Sequence, residues 1–329
     1  MPRKTLILTG PRIKKLVDMR RVLRIVEKAF AAHGRNAVQM PPKLYIHLDK
    51  FNGDFRAMPA YVGSMEACGV KWVNVHPGNI KSGLPAVMAV IILSDPRTGF
   101  PLAVMDGTYI TNLRTGASGG IAAKYLANRD SSTVGFVGCG TQALFQLMAL
   151  HYIFNLKAIS AYDKEPARVA RFIKQSKALG IAVKRCGDIE DCVRMKDIVI
   201  TTTPSRKPLI NAGWISAGTH INAIGADAKG KEELDPAILK KAKVIVDDTA
   251  QAVHSGEINV PISKGLIKKS DICATLGQVV ISRKRGRVSR NEITIFDSTG
   301  LAIQDMAVAS YVYKRSMASP GGRRKISFL

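Results

Sequence analysis

The feature that most constrains this chain is the run Val134-Gly135-Phe136-Val137-Gly138-Cys139-Gly140-Thr141-Gln142-Ala143, an apolar strand that passes through a glycine turn into a helix. Gly138 permits the tight turn, Gly140 lets a ligand approach the backbone, and Ala143 keeps helix and strand close. The helix start offers free N–H groups and a positive dipole to a pyrophosphate. The motif alone is weak, but here it begins a βαβ unit whose second strand ends in Asp163, 23 residues after Gly140. A carboxylate there accepts hydrogen bonds from ribose hydroxyls and repels a 2′-phosphate, which favours NAD over NADP. Lys164 and Arg168 follow directly and soften that preference.

Around this motif the apolar runs Val134–Val137, Ala158–Tyr162, Ile181–Val183, Ile198–Thr202, Ile221–Ile224 and Val244–Val246 alternate with amphipathic stretches. That pattern predicts buried parallel strands in a doubly wound, Rossmann-type sheet. A last strand over Ile293–Phe296 leads into a helix over Leu301–Tyr313. The first third reads differently. A strand at Leu6–Leu8, a helix capped by Asp18 and closed by Gly34, and strands at 44–48, 55–62, 70–75, 86–94 and 102–105 joined by turn signals predict an α+β unit with a largely antiparallel sheet. A helix over Leu113–Ala127, rich in Gly and Ala, follows, and its small residues would let a backbone or a cofactor come close. The fold class is therefore α/β, a central Rossmann-type doubly wound parallel sheet domain (113–300) plus an α+β domain (1–112 with 301–329). The tail from Ala318 to Lys325 reads as a surface extension.

Composition narrows the function classes. The 329 residues carry 49 Lys and Arg against 25 acids, a formal charge of +24. The basic residues are spread along the chain, and the densest group, Arg283, Lys284, Arg285, Arg287 and Arg290, lacks interleaved aromatics. A solvated basic surface is thus expected rather than a specific nucleic-acid site. Five scattered cysteines without CxxC spacing point to reduced thiols and no metal site. No apolar run is long enough for a bilayer and no secretory signal is evident, so a cytoplasmic protein without membrane association is expected.

Strand ends mark the cleft. Thr202-Thr203-Pro204 and Ala223-Ile224-Gly225-Ala226-Asp227 close two strands of the predicted sheet, where ligands of such sheets sit. Asp227 either holds a ligand or simply forms a turn. Ser298 and Thr299 repeat the strand-end logic, with helix capping as the plain alternative. In the first domain three cations stand in ordered stretches: Arg56, Lys71 between Val70 and Trp72, and Arg114 at the predicted helix start, where it opposes the dipole unless an anion joins it. Lys71 is either on the surface or desolvated with a lowered pKa, which would suit it to proton transfer. His76 reads mainly as a turn residue and Cys139 as a small filler.

In order along the chain, Gln39-Met40-Pro41-Pro42-Lys43, Arg56-Ala57-Met58-Pro59-Ala60, Lys71-Trp72-Val73-Asn74, His76-Pro77-Gly78-Asn79, Leu113-Arg114-Thr115-Gly116-Ala117, Gly138-Cys139-Gly140-Thr141-Gln142, Thr202-Thr203-Pro204-Ser205, Asn222-Ala223-Ile224-Gly225-Ala226-Asp227 and Phe296-Asp297-Ser298-Thr299-Gly300 resemble the ornithine cyclodeaminase and mu-crystallin family, most closely its archaeal alanine dehydrogenase branch. The resemblance implies an NAD-dependent enzyme of amino-acid or imino-acid chemistry and a homodimer whose first domain and final helix bind substrate and dimerise. It puts Lys71 and Asp227 on the family's acid–base positions. Arg56 and Arg114 fall on the substrate-carboxylate positions, with Thr299 placed beside the substrate and Arg114 also near the cofactor. Thr141, Gln142, Asp163, Lys231 and Ser298 fall on nucleotide contacts. The leading expectation from it is reversible NAD-dependent oxidative deamination of L-alanine to pyruvate and ammonia, with ornithine cyclisation, cyclic imine reduction and binding of a nicotinamide cofactor without turnover as the alternatives. One departure is Ala86, where many relatives carry a threonine hydroxyl.

Overall fold

The computed structural model describes residues 4–319 and 324–327, so Pro320–Arg323 of the expected surface extension lie outside the described residues. The chain divides into two compact units, residues 1–114 with 301–329 and residues 115–300.

The first unit is built on one mixed sheet. Its elements are β1 (Thr5–Leu8), α1 (Met19–Gly34), β2 (Val38–Gln39), β3 (Leu44–Leu48), β4 (Gly53–Val62), β5 (Ala67–Val75), β6 (Val87–Ser94) and β7 (Pro101–Asp106). The strand order is Arg324–Ile326, β1, β7, β6, β5, β4, β2, with β3 also on β4. All neighbours are antiparallel except β1 and β7. The tail is therefore partly a strand: Arg324–Ile326 finds free ladder positions along β1, which a local reading could not foresee. Asp18 caps α1 by accepting from the Arg21 N–H at 2.9 Å, and Val22, Val26, Ala29 and Phe30 form its buried stripe. Gly34 stays helical, and the left-handed residue that follows is Asn36 (φ 56°). The final helix, Ala302–Ala318, packs on α1 and on β4 and β5.

The helix α2 (Gly107–Leu126) carries the chain from the first unit into the second. It begins six residues earlier than its pattern suggests, because Asp106 caps it through the N–H groups of Thr108 (3.0 Å) and Tyr109 (3.2 Å). Arg114 is thus two turns inside the helix, and the dipole argument for an anion beside it does not apply.

The second unit contains β8 (Thr133–Val137), α3 (Thr141–Ile153), β9 (Ala158–Tyr162), α4 (Pro166–Lys177), β10 (Lys184–Arg185), β11 (Ile198–Thr201), β12 (Arg206–Ile210), β13 (His220–Ala223), β14 (Glu232–Leu234), β15 (Lys243–Val246), β16 (Ile272–Thr275) and β17 (Thr294–Asp297). An eight-stranded parallel sheet runs β10-β9-β8-β11-β13-β17-β15-β16, while β12 and β14 pair separately. The chain moves outward from β8 through β9 to β10, then returns to β11 on the other side of β8. The strand order reverses there, which puts the sheet's switch point at the carboxyl end of β8. Ile181, expected in a strand, instead closes α4, its N–H reaching Ser176 O at 3.0 Å past the left-handed Gly180. The strand begins only at Lys184. The glycines of α2 serve helix packing rather than a ligand: a Cβ at Gly116 would lie 2.3 Å from Phe145 O, and one at Gly119 2.0 Å from Gln146 Oε1.

Candidate active site

In the first unit, strand alternation decides where the cations go. Arg56 pairs with Val73 and Met58 with Lys71 across β4 and β5, so Arg56 and Lys71 stand on one sheet face, the face covered by the final helix. Trp72 points the other way and is half exposed. Lys71 is 1% exposed, and its Nζ meets Asp305 Oδ2 at 2.7 Å. The second oxygen of Asp305 accepts from Arg114 Nε at 3.0 Å, and Arg114 also donates to Gln304 at 3.4 Å. One fully buried carboxylate thus joins two buried cations from β5 and α2. Burial, the Arg114 guanidinium and, less strongly, Lys43 pull the Lys71 ammonium down to about 7, against the opposing pull of Asp305. An amine that titrates near neutrality can hold or release a proton at physiological pH.

Asp305 escaped the sequence reading. The signal was present as a Gln-Asp pair inside the apolar stretch Leu301-Ala302-Ile303-Gln304-Asp305-Met306-Ala307-Val308, where a buried charge requires a partner. Arg56 behaves differently from its predicted neighbours. It forms a bidentate pair with Asp54 (Nε–Oδ1 2.7 Å, Nη2–Oδ2 3.2 Å) and lies over the Tyr45 ring. His76 binds Asn74 and packs edge-on against Phe55, as a turn residue would.

In the second unit the glycine turn is held from two sides. The Gly138 N–H donates to Tyr162 O at 2.9 Å, its carbonyl accepts the Thr202 hydroxyl at 2.8 Å, and the Cys139 N–H donates to Asp163 Oδ2 at 2.8 Å. Asp163 therefore braces the turn as well as standing at the end of β9; Lys164 is exposed and Arg168 partly buried in the following helix. Gly138 has φ 94°, and a Cβ there would meet Thr203 Cγ2 at 2.8 Å, so glycine is required. Burial pushes the Cys139 thiol up to about 12, which leaves it an inert filler.

Several features suit a dinucleotide. A Cβ at Gly140 would enter open space, and the first turn of α3, with Thr141 and Gln142, has no side-chain cap. Ser298 Oγ, just past β17, is buried without a hydrogen-bond partner among the described residues. By contrast, the Thr299 hydroxyl and N–H are both committed to the buried Asp247, as is the Gly300 N–H, so Thr299 braces a strand end instead of presenting a free hydroxyl. Thr203 and Gly225 are tied to Glu233, and Asp227 pairs with Lys231 at 2.6 Å. Within the basic cluster, Arg287 is structural, donating to the carbonyls of Leu126, Gly218, Ser289, Arg290 and Glu292. Among the described residues no helix is long and apolar enough to cross a membrane.

Comparison with known proteins places the chain among relatives. Residues 3–319 match the ornithine cyclodeaminase/mu-crystallin family. The sequence is 53% identical over 99% of both chains to an alanine dehydrogenase of Archaeoglobus fulgidus. Its structure is similar to an archaeal alanine dehydrogenase dimer with bound NAD (TM-score 0.95, 52% identity, 99% of this chain and 100% of that one). It is also similar to the Thermococcus litoralis Δ1-pyrroline-2-carboxylate reductase in complex with NADH and L-proline (TM-score 0.93, 38% identity, 95% of this chain and 98% of that one).

Proposed function

The chain belongs to the ornithine cyclodeaminase/mu-crystallin family, and we propose that it is an NAD-dependent enzyme catalysing the reversible oxidative deamination of L-alanine to pyruvate and ammonia. The observation that carries this reading is the buried Lys71–Asp305–Arg114 cluster. Lys71 and Arg114 share the single buried carboxylate of Asp305, two cationic side chains on one acid. A small amino acid supplies the missing anion through its carboxylate. Arg114 binds that group, assisted by Arg56, while Lys71 holds or returns a proton as the amine becomes an imine and water adds. Asp227 handles the second proton, and its pairing with Lys231 keeps the carboxylate oriented.

Bound NAD supplies the hydride acceptor. The residues that hold it are Gly138 and Gly140 with Thr141 and Gln142, Asp163 with Lys164 and Arg168, the strand ends Thr202–Pro204 and Ala223–Ala226, and Lys231 and Ser298. A homodimer is part of the same reading: Leu44, Ala57, Trp72 and Val90 form one cross-strand row on the outer sheet face, with Trp72 41% and Val90 46% exposed. Apolar rows of this kind mark interaction surfaces.

A second reading, reduction of a cyclic imine such as Δ1-pyrroline-2-carboxylate, is favoured by the likeness to the Thermococcus litoralis reductase. The purified protein is mixed with NAD and L-alanine or L-ornithine, and with NADH and either pyruvate plus ammonia or the cyclic imine. NADH and ammonia rising together from L-alanine is the expected result. Ammonia from L-ornithine without net NADH, or NADH consumed only with the cyclic imine, overturns it.

A further inference from the structure

The parallel ladder between β11 and β13 ends at Thr201 and Ala223, with Ile224 N–H to Thr201 O (3.0 Å) as its last bond. Beyond that point the ladder stops, one strand running on into Thr202-Thr203-Pro204 and the other into the loop that carries Asp227. Their backbone N–H groups then need new acceptors. The Thr202 N–H goes to Val137 O at 2.9 Å, and a single side chain provides for Thr203 and Gly225. Glu233, fully buried on β14, accepts from the Thr203 N–H and the Thr203 hydroxyl through Oε1, each at 2.7 Å. Its Oε2 accepts from the Thr201 hydroxyl at 2.7 Å and the Gly225 N–H at 2.9 Å. A Cβ at Gly225 would stand 2.6 Å from Glu233 Oε2 and 2.1 Å from Thr203 O, so the glycine is what lets the carboxylate reach.

The same loop is fastened at its other end. Gly230 N–H donates to Asn259 Oδ1 and Asn259 Nδ2 donates to Lys231 O, both at 2.9 Å. Beneath Glu233 lies a second fully buried acid. Glu257 Oε1 accepts from the N–H groups of Glu233 (2.8 Å) and Leu234 (2.7 Å), while its Oε2 is buried without a hydrogen-bond partner among the described residues.

We propose that Glu233, as an ionised carboxylate, is the positioning residue that sets the Asp227 loop and the Thr203 segment against each other, and that Glu257 is its neutral, protonated partner. Four donors converge on Glu233, and that arrangement suits a carboxylate that accepts only. Burial raises the Glu233 carboxyl too, but the bonds from Thr201, Thr203 and Gly225 oppose it; Glu257 has just two donors on one oxygen, and burial, Glu233 and Asp297 drive its carboxyl well above the ordinary range. The proton therefore resides on Glu257. The functional consequence rests on the reading of Asp227 as an acid–base residue.

The two glutamine variants separate this arrangement from mere burial of polar groups. Gln has the shape of a protonated acid, so Glu257→Gln should keep kcat within about 2-fold. Glu233→Gln turns an NH2 toward an N–H that has no other acceptor, which displaces the loop. Misplacement of about 1 Å costs on the order of 100-fold in rate, and we expect kcat to fall 10- to 100-fold with the KM for the amino acid nearly unchanged. Thr201→Val, which removes one donor and preserves shape, should fall between wild type and Glu233→Gln.

All are assayed at 25 °C on the full chain after circular dichroism verifies folding, with Asp227→Asn alongside. Wild-type kcat and KM in Glu233→Gln, while Asp227→Asn is inactive, overturns the positioning role. An equal loss in both glutamine variants overturns the proton assignment. If Asp227→Asn is active, the acid–base reading is what fails. The positioning role then stands on weakened NADH binding in Glu233→Gln, read by NADH fluorescence through the Thr203 segment, and falls if that binding is unchanged.

Discussion

Replacing Asp305 by Asn removes the charge shared by Lys71 and Arg114 and leaves the shape of the side chain. At 2.7 Å and an effective dielectric of about 20, the Lys71–Asp305 attraction is on the order of 6 kcal/mol. Only part is lost, because the amide oxygen still accepts one hydrogen bond. The buried Arg114 guanidinium then lacks its counter-charge while Lys71 sheds its proton, and removing one partner of a buried pair costs about 3–5 kcal/mol. At roughly 2–4 °C per kcal/mol for a chain of this size, a fall in Tm on the order of 10 °C is expected.

The kinetic signature is more specific. Asp305 is what raises the Lys71 pKa, against burial, Arg114 and Lys43, which bring it to about 7. Without Asp305 it must fall further. If oxidation requires the neutral amine, kcat/KM for L-alanine has an acid limb near 7 in the wild type, and in Asp305→Asn that limb moves down by about one pH unit or more, worth about 1.4 kcal/mol each. The assay is NADH absorbance from pH 5 to 9 at a temperature where thermal melting verifies folding. An acid limb that stays in place in a folded variant would refute the claim that Asp305 controls Lys71.

Asp227→Asn should retain NADH binding by fluorescence and lose turnover at least about 100-fold; near-normal turnover removes it from the mechanism. Stability should rise with pH from about 7 toward 10.5, because in that window the unfolded chain binds the Lys71 proton that the folded protein releases. Denaturant titrations across the window should show this part of the rise, roughly 4–5 kcal/mol at about 1.4 kcal/mol per pH unit, in the wild type and not in Lys71→Met. Gly140→Val, whose side chain would fill open space beside the turn, should fold normally and lose NADH affinity; unchanged affinity would mean that no ligand approaches there. Asp163→Ser should weaken NAD use, both by removing a carboxylate beside Lys164 and Arg168 and by releasing the Cys139 N–H; unaltered NAD kinetics count against its role.

What the sequence alone determined was what local periodicity can encode. The Val134–Ala143 strand, glycine turn and helix, the alternation that makes the second unit a parallel sheet, and the antiparallel strands of the first are all patterns within a few residues of each other. The strand end at Asp163 and the lysine flanked by Val70 and Trp72 were visible for the same reason. Tertiary structure decided the partners. A buried Lys71 requires a counter-ion, but nothing local indicates which of 25 acids supplies it, and the answer, Asp305, lies 234 residues away. Thr299 could not be known to spend its hydroxyl on Asp247, 52 residues away. The early start of α2 depended on Asp106 acting as a cap, and the pairing of Arg324–Ile326 on an open edge of β1. Periodicity follows from the backbone's own geometry, whereas the satisfaction of a buried charge or an unpaired N–H depends on which distant segments the fold brings together.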